Sequence, residues 1–130
     1  MIKTKTEFDK AIFDLCKKLT EDGLEYYKRF DHVKGLVFKT DGGRKYIKVK
    51  YFTTTLQTNY ETGEEKLFQD NGSIHCFVES TTGDIYKPAN WKAPHLKGDA
   101  VRGNIFDKST FKKTDPHGGW LYHGRMKSQS

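Results

Sequence analysis

The amino-acid sequence predicts a single α+β domain spanning residues 1–130, an N-terminal amphipathic helix laid on a small antiparallel sheet, with a long ordered loop after the last hairpin. Two observations carry this expectation. One apolar stripe of helical period lies near the N-terminus, and after it come short runs of period two separated by Gly-containing turns. No internal repeat, low-complexity tract or linker divides the chain. The hydrophobic fraction is only 35%, yet 14% of the residues are aromatic, which favours a folded, aromatic-cored domain over a disordered chain.

The helix is expected over residues 6–22. Phe8, Ala11, Ile12, Leu15, Cys16 and Leu19 fall on one face, Thr6 with Asp9 reads as the N-cap, and Gly23 as the stop. Residues 24–32 either continue as a kinked helical turn or form an irregular connector. A first hairpin is expected over 35–53, its strands flanking Thr40-Asp41-Gly42-Gly43. Alternation puts Ile47, Val49 and Tyr51 inward and Tyr46, Lys48, Lys50 and Phe52 outward. The outward lysines are either ordinary solvated charges or the floor of a basic groove. Thr53 to Asn59 extends that strand, Tyr60 to Glu65 turns, and Lys66 to Gln69 is a short strand or a helical turn.

Asp70-Asn71-Gly72 is a further turn, leading into a second hairpin over 73–87. There Ile74, Cys76 and Val78 face one way, and His75, Phe77 and Glu79 the other. Pro88 ends the strand, because it has no N–H to give a ladder. A basic loop is expected over 88–106 and a C-terminal segment over 107–130, with Trp120, Leu121 and Tyr122 docking as a final short strand. Cys16 and Cys76 read as two buried, reduced thiols. With no run of 18 apolar residues and no charged-then-apolar leader, the protein is expected to be soluble and cytosolic.

Charge is unevenly placed. The chain carries +6, and residues 84–130, with nine Lys/Arg against four Asp, hold +5 of it. An anionic partner met through the C-terminal half is the corresponding expectation. The stretch Gly83–Phe106 concentrates the relevant chemistry: Tyr86 and Trp91, the cations Lys87, Lys92, Lys97 and Arg102, two prolines, and glycines that allow close backbone approach. The cations would neutralise phosphate while Trp91 and Tyr86 stack on bases, with Asn104 completing the candidate set. Aromatics interleaved with cations on an irregular segment suit a single strand or a nucleotide better than a duplex. The bland alternative makes Trp91 and Tyr86 core plugs that pin the loop.

Gly83-Asp84-Ile85-Tyr86-Lys87-Pro88-Ala89-Asn90-Trp91-Lys92-Ala93-Pro94, with Arg102-Gly103-Asn104-Ile105 and the preceding Ile74-His75-Cys76-Phe77-Val78, resembles a signature of small proteins encoded by tailed bacteriophages. The resemblance covers about residues 73–106, and His95–Gly98 is longer than in that pattern. It implies an origin and a setting, a phage protein acting in the host bacterial cytoplasm, and carries no mechanism or catalytic residue.

Enzymatic readings find little support. No C-x2-C pair or H-E-x-x-H spacing organises His75, Cys76, His95, His117 and His123 into a metal site. There is no G-x-S-x-G or Walker loop, and His117-Gly118-Gly119 lacks a nucleophile context. The expected function is therefore non-enzymatic, with no cofactor: binding of an anionic nucleotide or single-stranded nucleic acid. Two rivals stand beside it. One is a protein-binding inhibitor of an acidic host protein, anchored by Trp91, Trp120, Tyr122 and Arg102. The other is a counter-defence protein sequestering a signalling nucleotide. No membrane partner is expected, and homo-oligomerisation is left open.

Overall fold

The computed structural model describes residues 4–70, 72–98 and 100–121. Helix α1 spans Lys5–Tyr27. Its N-cap is Thr4, whose Oγ1 accepts from the Glu7 N–H at 3.1 Å and donates to the Glu7 carboxylate at 3.2 Å. The capping box thus begins two residues before the expected Thr6. Nor does the helix stop at Gly23. It runs on for another turn, because Gly23 is buried against β1, where a Cβ would overlap the Leu36 side chain and touch Pro116. The glycine serves close helix–strand packing rather than termination. Gly23→Ala is expected to lower stability: overpacking of roughly 1–3 kcal/mol outweighs the ~1 kcal/mol that Ala gains in helix propensity, a balance that denaturant melts read directly.

Among the described residues six strands form one antiparallel sheet: β1 Val33–Asp41, β2 Tyr46–Thr58, β3 Glu65–Gln69, β4 Ser73–Glu79, β5 Asp84–Tyr86 and β6 Val101–Asn104. The long β2 organises it. β1 runs along one edge of β2, while the other edge takes β4 against residues 46–51 and β3 against residues 54–58. β5 and β6 follow outward from β4. The 65–69 segment is thus a strand, which closes a second arm of the β2 hairpin. β6 lies inside what the sequence suggested was loop, so the loop proper is confined to residues 87–100.

The α1 stripe packs on one sheet face, where Leu15, Leu19, Leu36, Phe38, Val49, Cys76, Val78, Ile85, Ile105, Trp120 and Leu121 make the core. Ile47 and Tyr51 pack against it, as the alternation along β2 requires. Strand β4 departs from simple alternation. Val49 pairs with Cys76 but Lys50 pairs with Ile74, leaving His75 as the extra residue of a bulge. Ile74 consequently shares the lysine side, and His75 enters the core against Phe38 and Trp120, the reverse of the sequence expectation.

After β6 comes a short helix, α2 Lys108–Lys113, capped by Asp107, which accepts from the Ser109 N–H at 2.9 Å. The expected strand at Trp120 is instead a helical turn, held by the Asp115 carboxylate accepting from the N–H groups of His117 and Trp120, each at 2.9 Å. Tyr122 and the polar tail lie outside the described residues. Cys16 and Cys76 are both buried and free, and burial pushes the Cys16 thiol up to about 11 and that of Cys76 upward as well. Among the described residues no helix is long and apolar enough to cross a membrane.

Candidate functional site

The face of the sheet turned away from α1 carries the even-numbered side chains of β2: Tyr46, Lys48, Lys50 and Phe52. The 87–100 loop lies beside this face as a compact hairpin of its own. Pro88 and Pro94 bridge, the His95 N–H donates to the Lys87 carbonyl at 2.9 Å, and that of Ala89 to the Ala93 carbonyl at 3.0 Å. At the tip, the Asn90 side-chain oxygen accepts from the N–H groups of Lys92 and Ala93 at 2.7 and 3.0 Å. This side-chain-closed turn fixes Trp91 at the apex.

Trp91 there meets two of the sheet lysines. The Lys48 and Lys50 ammonium groups lie 5.8 and 5.3 Å from its ring centre, while 51% of the residue stays exposed. Lys50 is also 5.5 Å from the Phe52 ring, which Lys39 of β1 approaches at 5.7 Å. Lys45 lies 5.5 Å from the Tyr46 ring. The result is a run of cation, aromatic, cation, aromatic, cation across Lys48, Trp91, Lys50, Phe52 and Lys39, within cation–π range at every step. Asp41 is the one carboxylate among the described residues that pairs into this run, at 3.8 Å from Lys50.

Beside Trp91 is an open depression of about 370 Å³ lined by Asp41, Gly42, Gly43, Lys45, Tyr46, Lys48, Phe77 and Lys92. Its floor is apolar at Phe77 and its rim carries three ammonium groups. A larger concavity, about 700 Å³ between α1 and β1, is lined mainly by apolar groups such as Ile12, Phe13, Cys16 and Val37. Its two lysines, Lys17 and Lys39, are matched by the carboxylates of Asp9 and Glu21, so the smaller depression, with three lysines against Asp41, is the better candidate for an anion.

The residues singled out from sequence divide into two groups. Trp91 and Lys92 sit at this site, Lys97 is exposed further along the loop, and Lys87 is half-buried at its start. Tyr86 and Arg102 are buried, and Asn104 is half-buried with its side-chain amide engaged within the fold. Tyr86 is buried on β5, its hydroxyl donating to Glu79 at 2.9 Å and its ring edge-on to Tyr46, so it has no free face for a base. Arg102, only 4% exposed, is the extra residue of the β6 bulge opposite Ile85 and Tyr86; its Nε is buried without a hydrogen-bond partner among the described residues. Asn104 is a clamp: its Nδ2 donates to the Thr82 carbonyl and to Asp84, both at 2.9 Å, and its Oδ1 accepts from the Phe106 N–H at 2.8 Å.

The cations that do assemble come mostly from β1, β2 and the turn between them, in the half of the chain whose net charge is near zero. Whole-segment charge counting missed Lys39 and Lys45. Period two along 46–52 finds Lys48 and Lys50, whereas Lys39 joins them through its cross-strand pairing with Lys50 and Lys45 through its place beside Tyr46, neither of which the local pattern shows. Trp120, a proposed protein-binding anchor, is 2% exposed and belongs to the core.

No curated protein and no solved structure matches the chain. A family pattern does match, over residues 1–123. The sheet, the capped loop and the basic face all fall inside that span, and the chain belongs to the family of unknown function DUF7717.

Proposed function

We propose that this protein is a non-enzymatic binding module for single-stranded nucleic acid, using the outer sheet face and the Trp91 loop. The observation that carries the reading is the unbroken alternation of lysine and aromatic ring from Lys48 through Trp91 and Lys50 to Phe52 and Lys39. A single strand offers phosphates and bases in just such alternation, and stacking on an aromatic contributes about 1–3 kcal/mol per base. Lys45, Lys48 and Lys92 would meet phosphate over the depression, and the open side of Trp91 would take a base. The resemblance of residues 73–106 to small phage proteins supplies the proposed setting, the cytoplasm of an infected bacterium.

A strand fits better than a lone nucleotide. The depression is open, and the charged run extends well past it, whereas sequestering a small signalling nucleotide calls for an enclosed pocket. The test is fluorescence anisotropy of labelled single-stranded DNA and RNA against protein stripped of nucleic acid, across a salt series. Binding should weaken steeply with salt. Replacing both Lys45 and Lys48 by Gln should lower the salt slope by roughly 1.4, the value for two lost phosphate contacts on a single strand. Absence of binding to any strand at low salt by protein that is monomeric, with this face free, would overturn the reading.

A further inference from the structure

The β2–β3 hairpin projects beyond the sheet as a two-stranded arm, since among the described residues β3 pairs with β2 alone and all five residues of β3 are exposed. Two-stranded ribbons are marginal by themselves in water, yet this one leaves large apolar groups open. Tyr60 at the tip is 95% exposed, Leu67 63% and Phe68 51%. The tip is well ordered all the same: the Asn59 side chain accepts from Glu61 N–H at 2.9 Å, and Gly63 N–H donates to the Asn59 carbonyl at 2.7 Å.

The arm is also acidic. Residues 59–70 hold Glu61, Glu64, Glu65 and Asp70 against Lys66 alone, a net −3, which leaves +9 on the rest of a chain of net +6. Alternation along β2 puts Leu56 and Thr58 on the same side as Lys48 and Lys50, and their partners Leu67 and Glu65 share that side. One face of the sheet therefore runs from a basic, aromatic half to an apolar, acidic half. These halves cannot meet within one chain. β2 is a single continuous strand, and the eight residues from Lys50 to Thr58 hold them about 26 Å apart at 3.3 Å per residue.

We infer that this face is a self-complementary interface, on which two copies pair face to face about a two-fold axis, the acidic arm of each lying on the basic half of the other. Tyr60, Leu56 and Leu67 would meet Trp91 and Phe52, while Glu61, Glu64 and Glu65 would meet Lys45, Lys48 and Lys92. Such an isologous contact closes on itself, so the assembly stops at two. It shares its basic half with the proposed strand site but draws on the arm, which that site does not use.

The test is mass by light scattering after gel filtration, at low and high salt. Wild-type protein should be a dimer at low salt and dissociate as salt rises. A reversed arm (Glu61→Lys, Glu64→Lys, Glu65→Lys) and a reversed face (Lys45→Glu, Lys48→Glu, Lys92→Glu) should each be monomeric. Mixed in equal amounts they should dimerise, because both contacts of the mixed pair are then complementary. Leu67→Ser, at an exposed position, should weaken the dimer without affecting the fold. A wild-type monomer at low salt, a reversed arm that still dimerises, or open-ended growth in mass would each overturn the inference. Anisotropy on a neutralised arm (Glu61→Gln, Glu64→Gln, Glu65→Gln) separates the two readings: it keeps the basic face and adds no new cation to the arm, so its binding of labelled single strands reports on that face.

Discussion

Trp91→Ala is expected to reduce affinity for a single-stranded oligonucleotide by about 10–100-fold and to leave the melting temperature unchanged. Stacking of one base on an aromatic is worth about 1–3 kcal/mol, and each 1.4 kcal/mol is a factor of ten. The residue can be truncated safely because it is half exposed and its loop is closed by backbone bonds and the Asn90 side chain, none of which uses the indole. What it touches are two lysines that also reach solvent or Phe52. Anisotropy gives the affinity and circular dichroism the fold. Loss of the fold in this variant would make Trp91 a structural plug, and unchanged affinity would remove it from the site.

Trp120→Ala should behave in the opposite way, with a loss of about 3–5 kcal/mol from the cavity left by a large buried ring. A second cost adds to it. Trp120 Nε1 donates to His75 Nε2 at 3.1 Å in the core, and an imidazole nitrogen left buried without its donor costs roughly 1–3 kcal/mol more. Since a domain of this kind has about 5–15 kcal/mol in total, much of the variant should be unfolded at 37 °C. A surface anchor for a host protein would lose binding on such a substitution and keep its melt. The melt of the purified variant therefore decides between the two roles.

The same pair makes stability depend on pH. Burial pushes His75 down to about 4, with the Asp115 carboxylate opposing and His117 reinforcing the shift. In the unfolded chain it titrates at the ordinary value near 6.5. Between those two values the unfolded state binds the proton that the folded core refuses, so stability falls as pH is lowered through this window. The full loss, reached near pH 4, is on the order of 3 kcal/mol. Urea melts from pH 7 to 4.5 should follow that direction, and His75→Gln should flatten the dependence.

The fold class was legible in the amino-acid pattern alone, because periods of 3.6 and 2 are local properties of burial on one face. The stripe from Phe8 to Leu19 and the alternation from Arg44 to Phe52 needed no tertiary information. Alternation likewise put Lys48 and Lys50 on the outer face, and composition marked Trp91 and Lys92.

Other features depend on atoms distant in sequence. Gly23 ends nothing because Leu36 and Pro116 occupy the space a side chain would need. His75 turns inward because β4 carries one residue more than β2 across the bulge, a matter of register between strands. Tyr86 and Arg102, so inviting in a basic aromatic stretch, are buried because β6 returns to pair with β5, with Arg102 as the extra residue of that pairing. The cationic–aromatic run itself is a tertiary product: the capped turn at Asn90 carries Trp91 to lysines more than forty residues earlier, and only folding sets ring and charge about 5–6 Å apart.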